Sequence, residues 1–435
     1  MESAISENLT LKCGLQMKNR LVKAAMAEHM SDGDNLPTEL HNRAYAEWGR
    51  GGWGMLLTGN VQVDRMYLGD AHDLAPNPAI EPELIRRWSE WSAACTKHGT
   101  PTVMQICHPG RQSPMGAGSR CLTAKNVAPS PIPLNIGSRI VDRVASAVIF
   151  GTPREMTQKD IDHVVEQFVY TSRLASQTGF QGVELHAAHG YLLSQFLSPT
   201  ANLRTDSYGG SPAGRVKIIV EIIRAIRKTV PADFCVGIKL NSVDHQSESA
   251  LKACVEQLKL IVEAGVDFVE ISGGSYEDPS MMSSSTPSRQ PEKSARTVAR
   301  EAFFLEFASA IRAQFPGTPL MVTGGFRTRA GMEKALTDGD CDMIGIGRPA
   351  VLKPTLPNDI LLNPDVPKES ARLVTQQIKQ PWILKMLSNR SVGAGLESFR
   401  VQREMPLNIN LPRCATMLER GTESPFNQIR HGMLE

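Results

Sequence analysis

The sequence has almost no net charge. Its 47 lysines and arginines meet 45 aspartates and glutamates, a formal +2. Such a balance gives no broad basic surface for nucleic acid or an anionic membrane, so neither partner is expected. No apolar run approaches the length that spans a bilayer. Met1 to Leu15 is polar and lacks the apolar core of a secretory signal. The final Gly-Met-Leu-Glu matches no peroxisomal or reticulum address. A cytoplasmic protein is therefore expected. The eight cysteines, at 13, 95, 107, 121, 235, 254, 341 and 414, include no C-x-x-C pair. They suggest neither a zinc ribbon nor an iron–sulfur cluster, and they read as reduced thiols.

What is present, with 41% of 435 residues hydrophobic, is enough apolar material for a large core. It is arranged in alternation. A small hairpin is expected over Leu9 to Met17, capping one end of the fold. Strands are expected at Arg20–Met26, Met55–Thr58, Pro101–Cys107, Val183–Leu185, Cys235–Leu240, Phe268–Ile271, Leu320–Thr323 and Met343–Ile346. Between them fall helical patterns at Thr38–Trp48, Glu81–His98, from Thr157, and at Arg215–Lys228, Ala250–Glu263, Thr297–Phe315 and Thr328–Thr337. Eight βα units predict an α/β protein closed into a (β/α)8 barrel. A long Gly-, Pro- and Ser-rich loop, His108 to Met156, follows strand three and should lie over the pocket. Ser272 to Arg296 reads as a second loop on that face. Residues 1–356 are assigned to the barrel. Residues 357–435, helical over Lys368–Ser388, are assigned to a C-terminal extension that packs on the barrel or on a partner subunit, as in a homodimer.

The chemistry concentrates between Gly179 and Arg215. Strand four ends in His186, His189 and Tyr191. Polar residues at the carboxyl end of a barrel strand are where this architecture places its reactions. Two imidazoles can donate to one oxygen, and a phenol can release a proton. A zinc pair is the first competing reading, but no third ligand follows at a suitable spacing. Two core histidines and a packing tyrosine are the second. Phosphate is expected at the loops after strands seven and eight, Thr323-Gly324-Gly325-Phe326-Arg327 and Ile344-Gly345-Ile346-Gly347-Arg348.

His-Ala-Ala-His-Gly-Tyr-Leu-Leu, then Phe-Leu-Ser-Pro, then Asn-Leu-Arg-Thr-Asp-Ser-Tyr-Gly-Gly-Ser resembles the signature of the old yellow enzyme family. The resemblance runs, more weakly, from about Leu9 to Pro354. It implies a TIM barrel holding FMN tightly but without a covalent bond, with NADPH or NADH as hydride donor. It implies hydride transfer through flavin N5 to the β-carbon of an α,β-unsaturated carbonyl compound. On that likeness His186 and His189 bind the carbonyl oxygen and Tyr191 protonates the α-carbon. Ala25, Met26 and Ala27 lie under the flavin ring, Gly59 touches it, Gln105 bonds its pyrimidine edge, and Lys239 is the cation near N1. By their place in the loops after strands seven and eight, Gly324, Gly325, Gly347 and Arg348 are expected to hold the phosphate.

There are departures. Ala27 stands where relatives carry a Thr or Cys donor, which implies a lower flavin potential. Lys239 replaces the usual Arg and loses its fork; its competing reading is a strand-end salt bridge. His29 takes the place of an active-site Tyr and joins the substrate-binding set. Pro212-Ala213-Gly214 replaces an acidic–amide pair before Arg215. The sequence leaves three rival functions open. One is a dienoyl-CoA-reductase-like enzyme, disfavoured by the missing cysteine cluster. Another is a biosynthetic desaturase or isomerase on the same barrel. The third is a non-catalytic barrel that binds flavin or a carbonyl ligand.

Overall fold

The computed structural model describes residues 3–121, 123–137, 139–241, 248–272 and 307–373. Eight short strands form the centre: β1 (Leu21–Lys23), β2 (Met55–Leu57), β3 (Thr102–Cys107), β4 (Gly182–Ala187), β5 (Cys235–Asn241), β6 (Phe268–Ser272), β7 (Leu320–Thr323) and β8 (Met343–Ile346). All pair in parallel in the order β2-β1-β8-β7-β6-β5-β4-β3, and β2 pairs with β3 to close the ring. Helices α1 (Glu39–Arg50), α2 (Glu81–Thr96), α3 (Gln158–Gln177), α4 (Pro212–Arg227), α5 (Glu248–Ala264), α6 (residues 307–314) and α7 (Arg329–Thr337) lie between the strands. The expected (β/α)8 barrel is the observed one.

The expected hairpin is present. Leu9–Thr10 pairs antiparallel with Gln16–Met17. Its Leu11, Leu15 and Met17 pack on Met55, Cys235, Phe268 and Met343, each the first residue of its strand. Burying side chains of this size contributes roughly 1.5–3 kcal/mol apiece, so the hairpin is an apolar plug in the amino-terminal mouth. Around the side, Tyr45, Trp48, Trp91 and Phe180 stack edge to face, with centroids 5.0–5.4 Å apart, and lock α1 and α2 onto the barrel.

Several boundaries move for physical reasons. Strand one stops at Lys23, because the chain then turns so that Glu28 reaches back to the Gly59 amide. Strand four extends to Ala187, so His186 is a strand residue rather than the start of a loop. Helix α4 begins at Pro212, three residues before the expected Arg215. Ser211 caps it by accepting from the Gly214 amide at 3.1 Å, and Pro212 sits where no N–H is needed. Gly214 is required there, since a Cβ would lie 2.2 Å from the Gly209 carbonyl. Thr157 caps α3 with Asp160, as the pattern suggests.

The long stretch 108–156 is not a bare loop. It holds a helix, Ile140–Ile149, and a small parallel ladder, Val127–Ala128 with Arg154–Glu155. The expected loop over 272–296 falls outside the described residues beyond Ser272, as does helix six before residue 307. Of the expected Lys368–Ser388 helix, residues 368–373 are described. They form turns and a bridge from Arg372 to Thr328, not helix. Arg329 holds the stretch before them by donating to Asn363 O at 2.9 Å and Val366 O at 3.1 Å.

Candidate active site

The carboxyl ends of β4, β5 and β6 bring polar groups together where the plugged end is apolar. His186 lies in β4, and the next turn carries His189 at φ 58° and Gly190 at φ 75°. A left-handed His costs free energy, so the surroundings must enforce it. Gln112 donates to His189 O at 3.0 Å and Gln195 to Gly190 O at 2.8 Å. The turn folds His189 back so that its Nδ1 lies 3.3 Å from His186 Nε2, while its Nε2 lies 3.2 Å from Ser272 Oγ. Ala188 N–H donates to His186 Nδ1 at 3.3 Å. This pattern assigns the His186 proton to Nε2 and the His189 proton to Nε2.

Both rings stay neutral. Burial holds His186 well below the ordinary histidine range, with His189 and Lys239 adding to the effect. Burial, with Lys239 behind it, lowers His189 to about 3. Tyr191 stacks on His186 at 4.6 Å between centroids. Its oxygen accepts from Asn60 Nδ2 at 3.0 Å, and the phenol keeps its O–H as a donor. The structure therefore brings His186, His189 and Tyr191 together.

The other sequence-derived residues fall around the same mouth. Gly59 faces the loop after β1: a Cβ on it would meet the Glu28 carboxylate and Met26 O. Met26 Sδ would lie 3.4 Å from a Cβ on Gly347, joining the loops after β1 and β8. Ala25, Met26 and Ala27 are half-buried in the first of these. His29, at φ 53°, pairs with Asp70 at 3.2 Å. Burial opposes its protonation, but the Asp70 bond and the charges of Asp73, Asp70 and Glu28 prevail and raise it. Gln105 and Lys239 point into the barrel. Gln105 Nε2 donates to Glu184 at 2.5 Å, and Lys239 Nζ lies 2.8 Å from Glu270. The salt-bridge reading of Lys239 is thus also realised in the structure.

Several neighbours were not singled out from the sequence: Asn60, Ser272, Glu184, Glu270 and the buried set Lys23, Tyr45 and Glu28. Lys23 donates to Leu57 O at 2.9 Å and sits over the Trp48 ring. Burial lowers its ammonium to about 8. Glu28 accepts from both Tyr45 and the Gly59 amide, fixing the loop after β1. Strand parity carried a signal for Glu184, two residues before His186 and therefore on the same inward face.

A model for the NADH:flavin oxidoreductase / NADH oxidase family matches residues 7–363. The chain belongs to that family. The NADH-dependent flavin oxidoreductase iliE of Neonectria sp. (strain DH2) is 50% identical over 90% of this chain, which spans 52% of that protein's length. The NADH-dependent flavin oxidoreductase iccE of Talaromyces variabilis is 48% identical over 91% of this chain and 95% of its own length. Among solved structures, the old yellow enzyme homologue of Zymomonas mobilis superposes with a TM-score of 0.66 over 84% of this chain and 94% of its own, at 20% identity. That last likeness speaks for the fold.

The residues fit FMN, the group this family uses. Thr323 Oγ1 is buried with no partner at the end of β7. Beside it, a Cβ on Gly345 would lie 1.9 Å away, so the backbone there stays bare. Gly324 and Gly325 take φ 108° and 81°, and a Cβ on Gly324 would meet nothing within 4 Å. Open glycine backbone, a spare hydroxyl and the start of the short helix Arg348–Leu352 are what a phosphate needs. Among the described residues no helix is long and apolar enough to cross a membrane.

Proposed function

We propose that the protein reduces the carbon–carbon double bond of an α,β-unsaturated carbonyl compound, with NADH as electron source and Tyr191 as proton donor. One observation carries the reading: a phenol oriented by Asn60 lies against neutral His186, which is itself bonded to a second neutral imidazole, His189, at the end of β4. The relatives named NADH-dependent, at 48–50% identity, favour NADH over NADPH. When bound, FMN supplies hydride transfer at N5 from the nicotinamide to the β-carbon of the substrate. Ala25, Met26, Ala27, Gly59, Gln105 and Lys239 would line its ring, and Gly324, Gly325, Gly347 and Arg348 its phosphate.

A carbonyl oxygen entering between the imidazoles takes the Nε2 proton of His186 from His189, and the Nε2 proton of His189 from Ser272. Neutral donors hold the oxygen without a permanent charge. Their bonds strengthen as negative charge grows on it, so they favour the transition state over the ground state. Tyr191 gives its proton to the α-carbon, and Asn60 then faces the phenolate with an N–H donor already in place. His29, held by Asp70 at 3.2 Å, would lie at the rim where substrate enters.

Isotope labelling tests the assignment. Turnover of 2-cyclohexenone with nicotinamide deuterated on its transferable position should place deuterium on the β-carbon, while D2O labels the α-carbon. Nicotinamide deuterium at the α-carbon, or no reduced product, would overturn the reading.

A further inference from the structure

Below the histidine pair the barrel encloses a polar layer whose two glutamates, Glu184 and Glu270, have no direct part in the steps above. Strand register places it. Gln105 pairs with Glu184 between β3 and β4, His186 with Lys239 between β4 and β5, and Lys239 with Glu270 between β5 and β6. Paired residues share a face, so all five side chains point inward. Glu184 and Glu270 are wholly inaccessible to solvent, and Gln105 and Lys239 nearly so. Gln105 satisfies Glu184 Oε2. The Lys239 ammonium lies 2.8 Å from Glu270 Oε1 but off the direction of a hydrogen bond. Glu184 Oε1 and both oxygens of Glu270 are left without a donor.

Two ionised carboxylates here would therefore be short of a proton in two ways. Glu184 Oε1 and Glu270 Oε2 would face no donor and Glu270 Oε1 only a misdirected ammonium, which is unfavourable for each buried oxygen. One ammonium would also face two negative charges. Among the described residues the other titratable groups near the layer are His186 and His189, both neutral, and Lys23, a buried cation on the far side of β1 whose charge opposes that of Lys239. Gln105 brings no charge. One proton between the carboxyl groups removes both deficits.

We propose that Glu184 keeps a proton and donates it to Glu270, so that the pair carries a single negative charge and holds Lys239 in one place. Burial, and then the Glu270 charge, push the Glu184 carboxyl well above its ordinary range, in agreement. Glu184 is a positioning residue, acting through Glu270 on Lys239. Its consequence for catalysis rests on the flavin reading above. A layer of net charge zero accepts the negative charge that reduction brings to the site, whereas a layer of net charge −1 opposes it.

The test uses the full-length holoprotein with carbon-13-labelled glutamate, which separates side-chain carbonyl bands from those of the flavin. Near neutral pH the infrared spectrum should contain a protonated-carboxyl stretch that shifts in D2O and disappears in Glu184→Gln. The same variant replaces a neutral acid by a neutral amide, so the flavin midpoint potential should stay where it is. The Glu184→Gln/Glu270→Gln double variant, which strips the negative charge from Lys239, should raise it. Absence of the protonated band from the wild-type protein would overturn the proposal, whatever the variants do. So would a rise in potential in Glu184→Gln equal to that of the double variant. The infrared arm reads the glutamates themselves, so a protein without flavin bands would sink the functional reading and leave this arm standing.

Discussion

Where the strands begin, Met55, Cys235, Phe268 and Met343 close against Leu11, Leu15 and Met17 in an apolar plug. Where they finish, the same sheet carries His186, Lys239, Glu270, Ser272 and Thr323, with buried charges, orphaned oxygens and left-handed backbone at His29 and His189. The nearest thing to a polar cluster at the plugged end is Cys13, Cys235 and Asp267, whose ligand atoms lie within 4.8 Å. There Arg227 already occupies the aspartate and the Val236 amide bonds it at 2.7 Å. One end is organised to be stable, and the other accepts strain and unmet polarity because a ligand completes it. The two ends should therefore fail differently when mutated.

The largest expected effect is at Tyr191. Tyr191→Phe should slow reduction of the enone by about 10²–10⁴-fold, the usual weight of a general acid, while NADH still reduces the flavin. Stopped-flow measurement of the two half-reactions separately checks this, and equal losses in both would count against the acid role. Leu11→Ala in the plug should cost about 2–5 kcal/mol of stability yet leave the flavin spectrum and both half-reactions intact at low temperature. Denaturant melts beside the kinetics would show it. Altered flavin chemistry in that variant would break the separation of the ends.

Acid should expose the cost of the upper end. Folded His189 titrates at about 3, below its unfolded value of 6.5. Between those limits the unfolded chain binds a proton that the folded site refuses, so stability falls as pH falls. By about pH 5 this amounts to ~2 kcal/mol from His189 alone. A His189→Asn protein should lose less stability over the same interval, and equal acid sensitivity would refute the account of that ring. Removing the imidazole should also weaken phenol binding, and unchanged phenol affinity would contradict its donor role. The smallest effect is expected at Ala27. Ala27→Thr restores a hydroxyl donor near the ring and should raise the flavin potential, as a redox titration with reference dyes would show.

Much of this contrast was legible in the sequence. Strand and helix periods gave the eight βα units, and Leu9–Met17 was readable as a plug because its apolar residues recur across a Gly turn. His186, His189 and Tyr191 were readable because they crowd a strand end. The long signature was readable too, but its second half serves the scaffold. Arg204 donates to Pro129 O and Met156 O, tying the 108–156 stretch to this segment, and Asn202 donates to Phe196 O and Tyr208 O, bracing the segment itself. What stayed hidden depends on contacts distant in sequence. Asn60 meets Tyr191 across 131 positions, and Glu270 meets Lys239 only through strand register. The Ile140–Ile149 helix was obscured by the Gly, Pro and Ser around it.

The central claim is that the upper end of the barrel is a flavin site that passes reducing equivalents to an enone. An anaerobic absorbance trace of the purified protein tests it most directly. Visible flavin bands should bleach when NADH is added and return when 2-cyclohexenone follows. Flavin bands that never appear, even after FMN is supplied, would contradict the account at its base.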